Sequence, residues 1–410
     1  MTISCEIKYD SNPQGVFYVG QPLSGSVILQ STGIESVNAI YAKIEGSTVV
    51  RWNERRPHGH RHRPRQFSNR QDHFNILTQF ITAGNGDPTE IAEGRHVYRF
   101  SCPLPDTLPT SFEGSYGSIR YTITTVVERP SNQNSTFREA LTVLRHVNLN
   151  NDPSLRKPKK LELSKSFGWW IFKSDPLNIA VEIPFTGYVP GQYIPVAVRW
   201  NNNSSAYISG IRIKLFKNEV YFATDPYEKQ RTNSQCVVKI ENRDEQKQEQ
   251  ASFQRNLLIP STPPTSSSNL ITIAYELAVY IHISTGEIPE FNVPITVGTI
   301  PLLDFPSASA AGDDSDQPPS PPQPPAYGFK VAGTSSDHPP NKAGAPSTSQ
   351  TATPTASSTE ELPPPTYEEA MNVAEVDPQE QDEQPTQEDS LSFIPRYPVY
   401  NFGETSDKRQ

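Results

Sequence analysis

At 410 residues the chain is long enough for two or three domains, each able to bury a core. The formal net charge of −9 hides an asymmetry, because residues 301–410 hold 18 Asp and Glu against 5 Lys and Arg, leaving 27 acidic and 31 basic residues for the first 300. A mildly basic body with a strongly acidic tail argues against nucleic acid as the main ligand, and leaves a local basic patch free to meet anionic lipid or phosphorylated peptide.

The three cysteines, Cys5, Cys102 and Cys236, are too few and too scattered for a disulfide framework or a zinc site. They read as small buried apolar residues in a reducing compartment. Residues 1–9 carry no long apolar run, so they do not form a signal peptide, and no stretch approaches bilayer-spanning length. These features predict a cytosolic protein whose membrane contact is peripheral.

From the start the pattern is β. Residues 3–9 alternate, residues 15–22 read as strand end, turn and strand start, and Leu23, Gly25, Val27 and Leu29 share one face. Residues 37–50 continue as short strands split by glycine, the turn-and-strand rhythm of a β-sandwich. Between Arg51 and Arg70 the alternation stops. His58, His60 and His62 alternate there, and on an extended strand they would face one way as metal ligands do. No carboxylate or cysteine joins them, and Arg61 and Arg63 interleave, so a solvated basic loop is the reading, with anionic headgroups as its functional alternative.

Strands resume at residues 96–105. Ile119, Tyr121, Ile123, Thr125 and Val127 then line one face of a long strand, with Gly114 and Gly117 placed to supply positive φ at the turn before it. Arg120 points away from the apolar face, exposed or paired. Residues 148–176 read as a connector whose aromatic cluster, Phe167 to Phe172, packs between two domains; insertion into a membrane interface is the alternative.

A second domain repeats the first. Residues 185–196 echo residues 15–27, with Gly191-Gln192 standing where Gly20-Gln21 stood, and Ile259 to Ser266 echo Leu104 to Ser111. Such paired anchors describe a tandem of two related sandwiches. The expected domains are 1–147 and 177–300, with 148–176 as connector and 301–410 as tail.

The tail holds 19 of the 40 prolines and too little apolar surface to offset the entropy of ordering, so it is expected to be disordered. It carries a Pro-Pro-x-Tyr motif twice: Pro324, Pro325 and Tyr327, then Pro364, Pro365 and Tyr367. Paired prolines are preset for polyproline II and lose little entropy on docking into the aromatic-lined groove of a WW domain, where the tyrosine fills a second pocket. Two copies let a tandem-WW partner bind with avidity. Near the end, residues 393–402 put six large apolar or aromatic side chains into ten. Docking onto a partner, return to the body as an added strand, and chance clustering all remain open there.

Tandem sandwiches followed by Pro-Pro-x-Tyr motifs resemble the α-arrestins, the arrestin domain-containing proteins. The resemblance is carried by residues 15–25, 109–121, 187–192, 293–302 and the two tail motifs. It implies an all-β arrestin fold of two immunoglobulin-like sandwiches and a non-catalytic adaptor without cofactor or metal. Such an adaptor recruits a WW-domain HECT ubiquitin ligase through its tail. Membrane receptors or transporters bound by the body are then ubiquitinated, internalised and sorted through endosomes, with the adaptor at the plasma membrane and endosomes. The concave sheet faces are the candidate cargo surfaces.

Two other readings compete. No Gly-x-Gly-x-x-Gly, Gly-x-Ser-x-Gly, Walker or His-Glu-x-x-His pattern supports an enzyme, and a hydrolase would need His96 or His146 beside a serine and an acid. An arrestin-fold trafficking scaffold or coat subunit would keep the fold and leave the tail motifs incidental.

Overall fold

Period-two alternation from Ile3 onward becomes strand almost throughout. The computed structural model describes residues 3–12, 14–54, 64–84, 87–131, 133–168, 174–303 and 393–402. These belong to one compact unit, formed by Met1–Leu303 with Pro363–Gln410.

The first half supplies β1 (Ile3–Tyr9), β2 (Val16–Tyr18), β3 (Pro22–Ser31), β4 (Glu35–Val37), β5 (Ala39–Glu54), β6 (Arg65–Thr82), β7 (Thr89–Ile91), β8 (Gly94–Pro103), β9 (Phe112–Gly114), β10 (Gly117–Glu128) and β11 (Ser135–Leu144). A three-stranded sheet, β1-β3-β8, faces a larger one ordered β2-β11-β10-β5-β6, with β9 added to β10 and β4 paired with β7. Leu23, Val27 and Leu29 from one sheet and Ile119, Tyr121, Ile123 and Val127 from the other are buried, as the alternation requires.

The second half supplies β12 (Lys159–Lys165), β13 (Leu177–Ile183), β14 (Gly187–Tyr188), β15 (Tyr193–Asn202), β16 (Ile208–Ala223), β17 (Lys229–Asn242), β18 (Gln250–Leu258), β19 (Ser266–Ser267), β20 (Ile271–Ile283) and β21 (Glu290–Val297). Sheet β12-β13-β15-β18 faces β14-β21-β20-β16-β17, with β19 added to β20. Thus β12 lies inside the segment 148–176 expected as a connector. Lys159 to Lys165 pair with Ile183 to Leu177, Leu161 and Leu163 pack against the core, Lys165 is half-buried and paired with Glu287, and Lys159, Lys160, Glu162 and Ser164 stay in solvent. Two 3-10 turns, Leu149–Asn151 and Pro153–Arg156, make the link itself, capped by the side chains of Asn148 and Asp152.

Of the aromatic cluster expected between the domains, only Phe167 is among the described residues. Phe167 is buried in the second sandwich, and Ser174 N donates to Phe167 O at 2.7 Å, closing the hairpin from β12 to β13; residues 169–173 lie outside the described residues. Gly114 and Gly117 do not take positive φ. They are glycines for lack of room, since a Cβ would strike the Tyr221 hydroxyl at Gly114 and Val49 O at Gly117.

The repeat seen in the sequence recurs hydrogen bond by hydrogen bond. Gly20 and Gly191 both take positive φ, at 79° and 89°. Gly20 N donates to Leu104 O (3.0 Å) and Leu104 N to Gln21 O (3.2 Å); Gly191 N donates to Ile259 O (2.8 Å) and Ile259 N to Gln192 O (3.0 Å). Each turn is followed by a tyrosine clasp. Tyr121 donates to Pro109 O at 2.6 Å and Tyr275 to Pro263 O at 2.5 Å, both across twelve residues. Ser111 Oγ and Thr265 Oγ1 then accept from Val143 N and Val297 N, both 32 residues away and both at 2.9 Å. Burial holds both phenols above the ordinary tyrosine range, so they remain donors. Tyr121→Phe and Tyr275→Phe are each expected to cost about 1–3 kcal/mol in urea unfolding, because a buried carbonyl loses its partner. The Tyr275 change should lie at the upper end, since Thr262 Oγ1 also bonds that hydroxyl at 2.8 Å.

Candidate functional site

The two sandwiches meet along β5, β6, β9, β16 and β17 through both polar and aromatic contacts, Phe67 packing edge-on against Tyr227 with centroids 5.1 Å apart. Ser68 N donates to Asp225 O (3.0 Å) and Asp225 N to Ser68 O (3.1 Å), a backbone bridge from one sandwich to the other. Lys229 pairs with Glu54. The Arg231 guanidinium lies 3.9 Å from the Tyr116 ring centroid and donates to its hydroxyl at 2.9 Å.

Behind these, Glu219 is buried and accepts from Lys217 Nζ (2.9 Å), the Tyr221 hydroxyl (2.6 Å) and Asn233 Nδ2 (2.9 Å). Burial first, then the Glu219 charge, raises the Tyr221 phenol far above its ordinary range. Tyr221 also packs edge-on against Tyr116, centroids 5.6 Å apart. The interface thus holds a buried polar cluster beside an apolar core that runs continuously through both sandwiches.

The exits of the two domains run side by side: Val147 N donates to Thr299 Oγ1 (2.8 Å) and Leu149 N to Ile300 O (3.2 Å). A polar cleft of about 370 Å³ opens beside them, lined by His73, Thr107, Arg145, Ser267 and Asn269 among others. His73 Nε2 lies 2.7 Å from Thr48 Oγ1, and burial lowers its pKa against a smaller opposing pull from Asp72. A histidine depressed in the folded state binds fewer protons there than in the unfolded chain. Its stability contribution is therefore intact above the ordinary histidine value near 6.5 and lost as pH falls through the folded value. Urea unfolding at pH 7.5 and 5.5 should show this loss, and His73→Gln should reduce it.

Residues 393–402 occupy the crevice between the sandwiches. Arg396 N donates to Thr142 Oγ1 (3.2 Å), its guanidinium to Gln14 O (3.3 Å), and the Tyr397 hydroxyl to Ser111 O (3.0 Å), all on the first sandwich. On the second, Ser261 Oγ donates to Tyr397 O (3.0 Å), Tyr400 N to Pro190 O (3.0 Å), and the Tyr400 hydroxyl to Thr299 O (2.6 Å). Pro395 and Pro398 are buried, and Tyr400 packs against Leu149, Leu155 and Val189. The segment thus returns to the body, but as an extended strap with one bridge residue, Val399, rather than as a sheet strand.

Of the residues singled out in the sequence, Pro324, Pro325, Tyr327, Pro364, Pro365 and Tyr367 lie outside the described residues, as do His58, His60 and His62. Arg120 is paired, donating from Nε and Nη2 to Glu113 at 2.6 and 2.8 Å. Cys102 is buried, its thiol pushed up to about 11 by burial, but Cys236 is exposed. It sits on β17, which pairs with one neighbour only and leaves a solvent face. His96 meets Ala92 O at 2.8 Å and His146 stacks on Tyr18 at 4.6 Å. Among the described residues no group of three or more His, Cys, Asp or Glu is placed to hold a metal ion, and no helix is long and apolar enough to cross a membrane. The Glu219 core and the strap's contacts were not found from sequence, because each joins residues far apart in the chain.

Two mostly antiparallel sandwiches, each with one parallel edge pair, β2 with β11 and β14 with β21, carry repeated turn-and-clasp anchors; this is the two-domain arrestin architecture, and sequence similarity agrees. Residues 5–150 match the arrestin (or S-antigen) N-terminal domain and residues 173–302 the C-terminal domain. The chain belongs to the α-arrestin family, the arrestin domain-containing proteins. It is 27% identical over 310 residues to arrestin domain-containing protein 4 of Mus musculus, covering 74% of this chain and 73% of that one. It is 26% identical over 302 residues to arrestin domain-containing protein 17 of Caenorhabditis elegans, covering 72% and 70%, and 25% identical over 305 residues to arrestin domain-containing protein 1 of Rattus norvegicus, covering 73% and 65%. Members of this family are non-enzymatic adaptors, and membership supports a trafficking-adaptor role.

Proposed function

We propose that this α-arrestin is a non-catalytic adaptor that holds membrane receptors or transporters on its body and brings a WW-domain HECT ubiquitin ligase to them through its tail. The docking residues are Pro324, Pro325 and Tyr327 in one motif and Pro364, Pro365 and Tyr367 in the other. Ubiquitination of the held cargo then directs its endocytosis and endosomal sorting, with the adaptor working at the plasma membrane and endosomes. The observation that carries this reading is the doubled motif, placed in an acidic tail beyond two arrestin domains. A single four-residue match in a proline-rich tail has little weight; a pair suits tandem WW domains.

Sheet faces turned to solvent are the surfaces for cargo. On the second sandwich, a groove of about 550 Å³ runs over Pro158, Ile183, Pro184, Pro195 and Ala197, with Lys159, Lys160 and Glu182 at its rim. An apolar floor with a charged rim fits a cytosolic segment of a membrane protein.

Reconstitution tests the proposal. Plasma-membrane vesicles are incubated with ubiquitin, its activating and conjugating enzymes and a HECT ligase, with either the full chain or the Tyr327→Ala, Tyr367→Ala form. Ubiquitin transfer to membrane proteins should rise with the first and stay at background with the second. Equal stimulation by both would remove the motifs from the mechanism and leave an arrestin-fold scaffold.

A further inference from the structure

The two halves of the repeat differ in what covers the glycine of the turn, and residues 393–402 fill the difference. At the first turn a Cβ on Gly20 would strike the carboxylate of Asp106, so the protein's own Asp106 covers that glycine. At the second turn Ser261 stands where Asp106 stood, two residues past Ile259 as Asp106 is two past Leu104. The shorter Ser261 leaves Gly191 uncovered, and what lies over it is the strap: a Cβ on Gly191 would collide with Tyr400 O and come within 2.9 Å of Val399 Cγ1. Ser261 instead donates to Tyr397 O at 3.0 Å.

Recognition in this crevice has the features of peptide binding. Main-chain and hydroxyl partners on the body (Ser111 O, Thr142 Oγ1, Pro190 O, Ser261 Oγ, Thr299 O) meet an extended segment whose two prolines are buried and whose two tyrosines donate at their tips. The occupant is joined to the second sandwich only through residues 304–392 of the chain, so it enters the crevice as a tethered ligand rather than as part of either sheet.

We infer that the crevice is a binding site for an extended Pro-x-Tyr-Pro-x-Tyr peptide, that Pro395 to Tyr400 is its exchangeable own-chain occupant, and that occupancy clamps the two sandwiches together. The site opens at Gly191 because Ser261 replaces the aspartate that closes the matching turn of the first sandwich. It would exist whether or not the tail motifs bind a ligase.

The test uses a fluorescent peptide of residues 391–402 titrated into three full-length chains: wild type, Tyr397→Ala with Tyr400→Ala, and that pair with Ser261→Asp added. The emptied double variant should bind with micromolar affinity. Wild type should bind about 100-fold more weakly, because a tethered copy competes at an effective concentration of about 1 mM. Ser261→Asp installs the lid that the first sandwich already tolerates, and should abolish binding while circular dichroism and thermal midpoint stay those of the double variant. A peptide with both tyrosines changed to alanine should not bind any of them. No binding to a folded double variant, equal binding to wild type and double variant, or binding unaffected by Ser261→Asp would each overturn the inference. Should the double variant not fold, a full chain with a protease site placed at residues 385–390 is cleaved after purification. Release of its C-terminal fragment by excess peptide supports the exchange, and a fragment that stays in place at millimolar peptide refutes it.

Discussion

Changing either Tyr327 or Tyr367 to alanine is expected to weaken capture by a tandem-WW protein by about 100- to 10,000-fold, and changing both to abolish it. The motifs are forty residues apart, so once one is engaged the other binds as an intramolecular event whose strength depends on the linker. Alanine removes the ring that fills the second pocket and leaves the prolines, so the loss is of one contact rather than of a fold. A partner with a single WW domain separates avidity from affinity, since either single change should then cost only about a factor of two. Biosensor titrations with one- and two-domain partners give both numbers. A single change that costs the tandem partner no more than the single-domain partner would mean that the motifs act one at a time.

Glu219→Ala is expected to lower the stability of the body by about 3–5 kcal/mol, the effect of breaking a buried ion pair from one side. The Lys217 and Glu219 side chains are 12% and 2% exposed, so the remaining ammonium has little water to turn to. The Tyr221 hydroxyl and Asn233 amide lose the same acceptor. Replacing both charges, as Lys217→Met with Glu219→Leu, should recover most of the loss, because two apolar side chains avoid the desolvation that an unpaired charge incurs. What remains is the cost of the hydroxyl and amide left behind, about 1–3 kcal/mol. Guanidinium unfolding of the three proteins checks the order. A Glu219→Ala loss below about 1 kcal/mol would show Lys217 reaching solvent.

The architecture was legible because it rests on local pattern. Leu23, Val27 and Leu29, and likewise Ile119, Tyr121, Ile123 and Val127, put their apolar side chains on one face, although Ser26, Ile28 and Thr124 opposite them are buried too. The Gly-Gln turns of the two halves mark equivalent places by the positive φ that favours glycine. What escaped depended on distance along the chain. The Lys-rich run at Lys159 looked like a connector because an edge strand needs only Leu161 and Leu163 inward, and Lys159 and Lys160 then face solvent. Gly114 looked like a turn residue, although its reason is the Tyr221 hydroxyl more than a hundred residues away. Residues 393–402 showed an aromatic excess, but nothing nearby in the chain named Ser111, Thr142 and Pro190 as their partners. The Pro-Pro-x-Tyr motifs are the reverse case. The docking proposed for them needs only four residues each, so it rests on the sequence alone.

The most direct test of the adaptor account is a calorimetric titration of two tail peptides, one centred on Tyr327 and one on Tyr367, against isolated WW domains of HECT ligases, each beside its tyrosine-to-alanine control. The account predicts micromolar binding by both peptides and none by either control. Absence of binding by both natural peptides, or equal binding by natural and alanine forms, would contradict it.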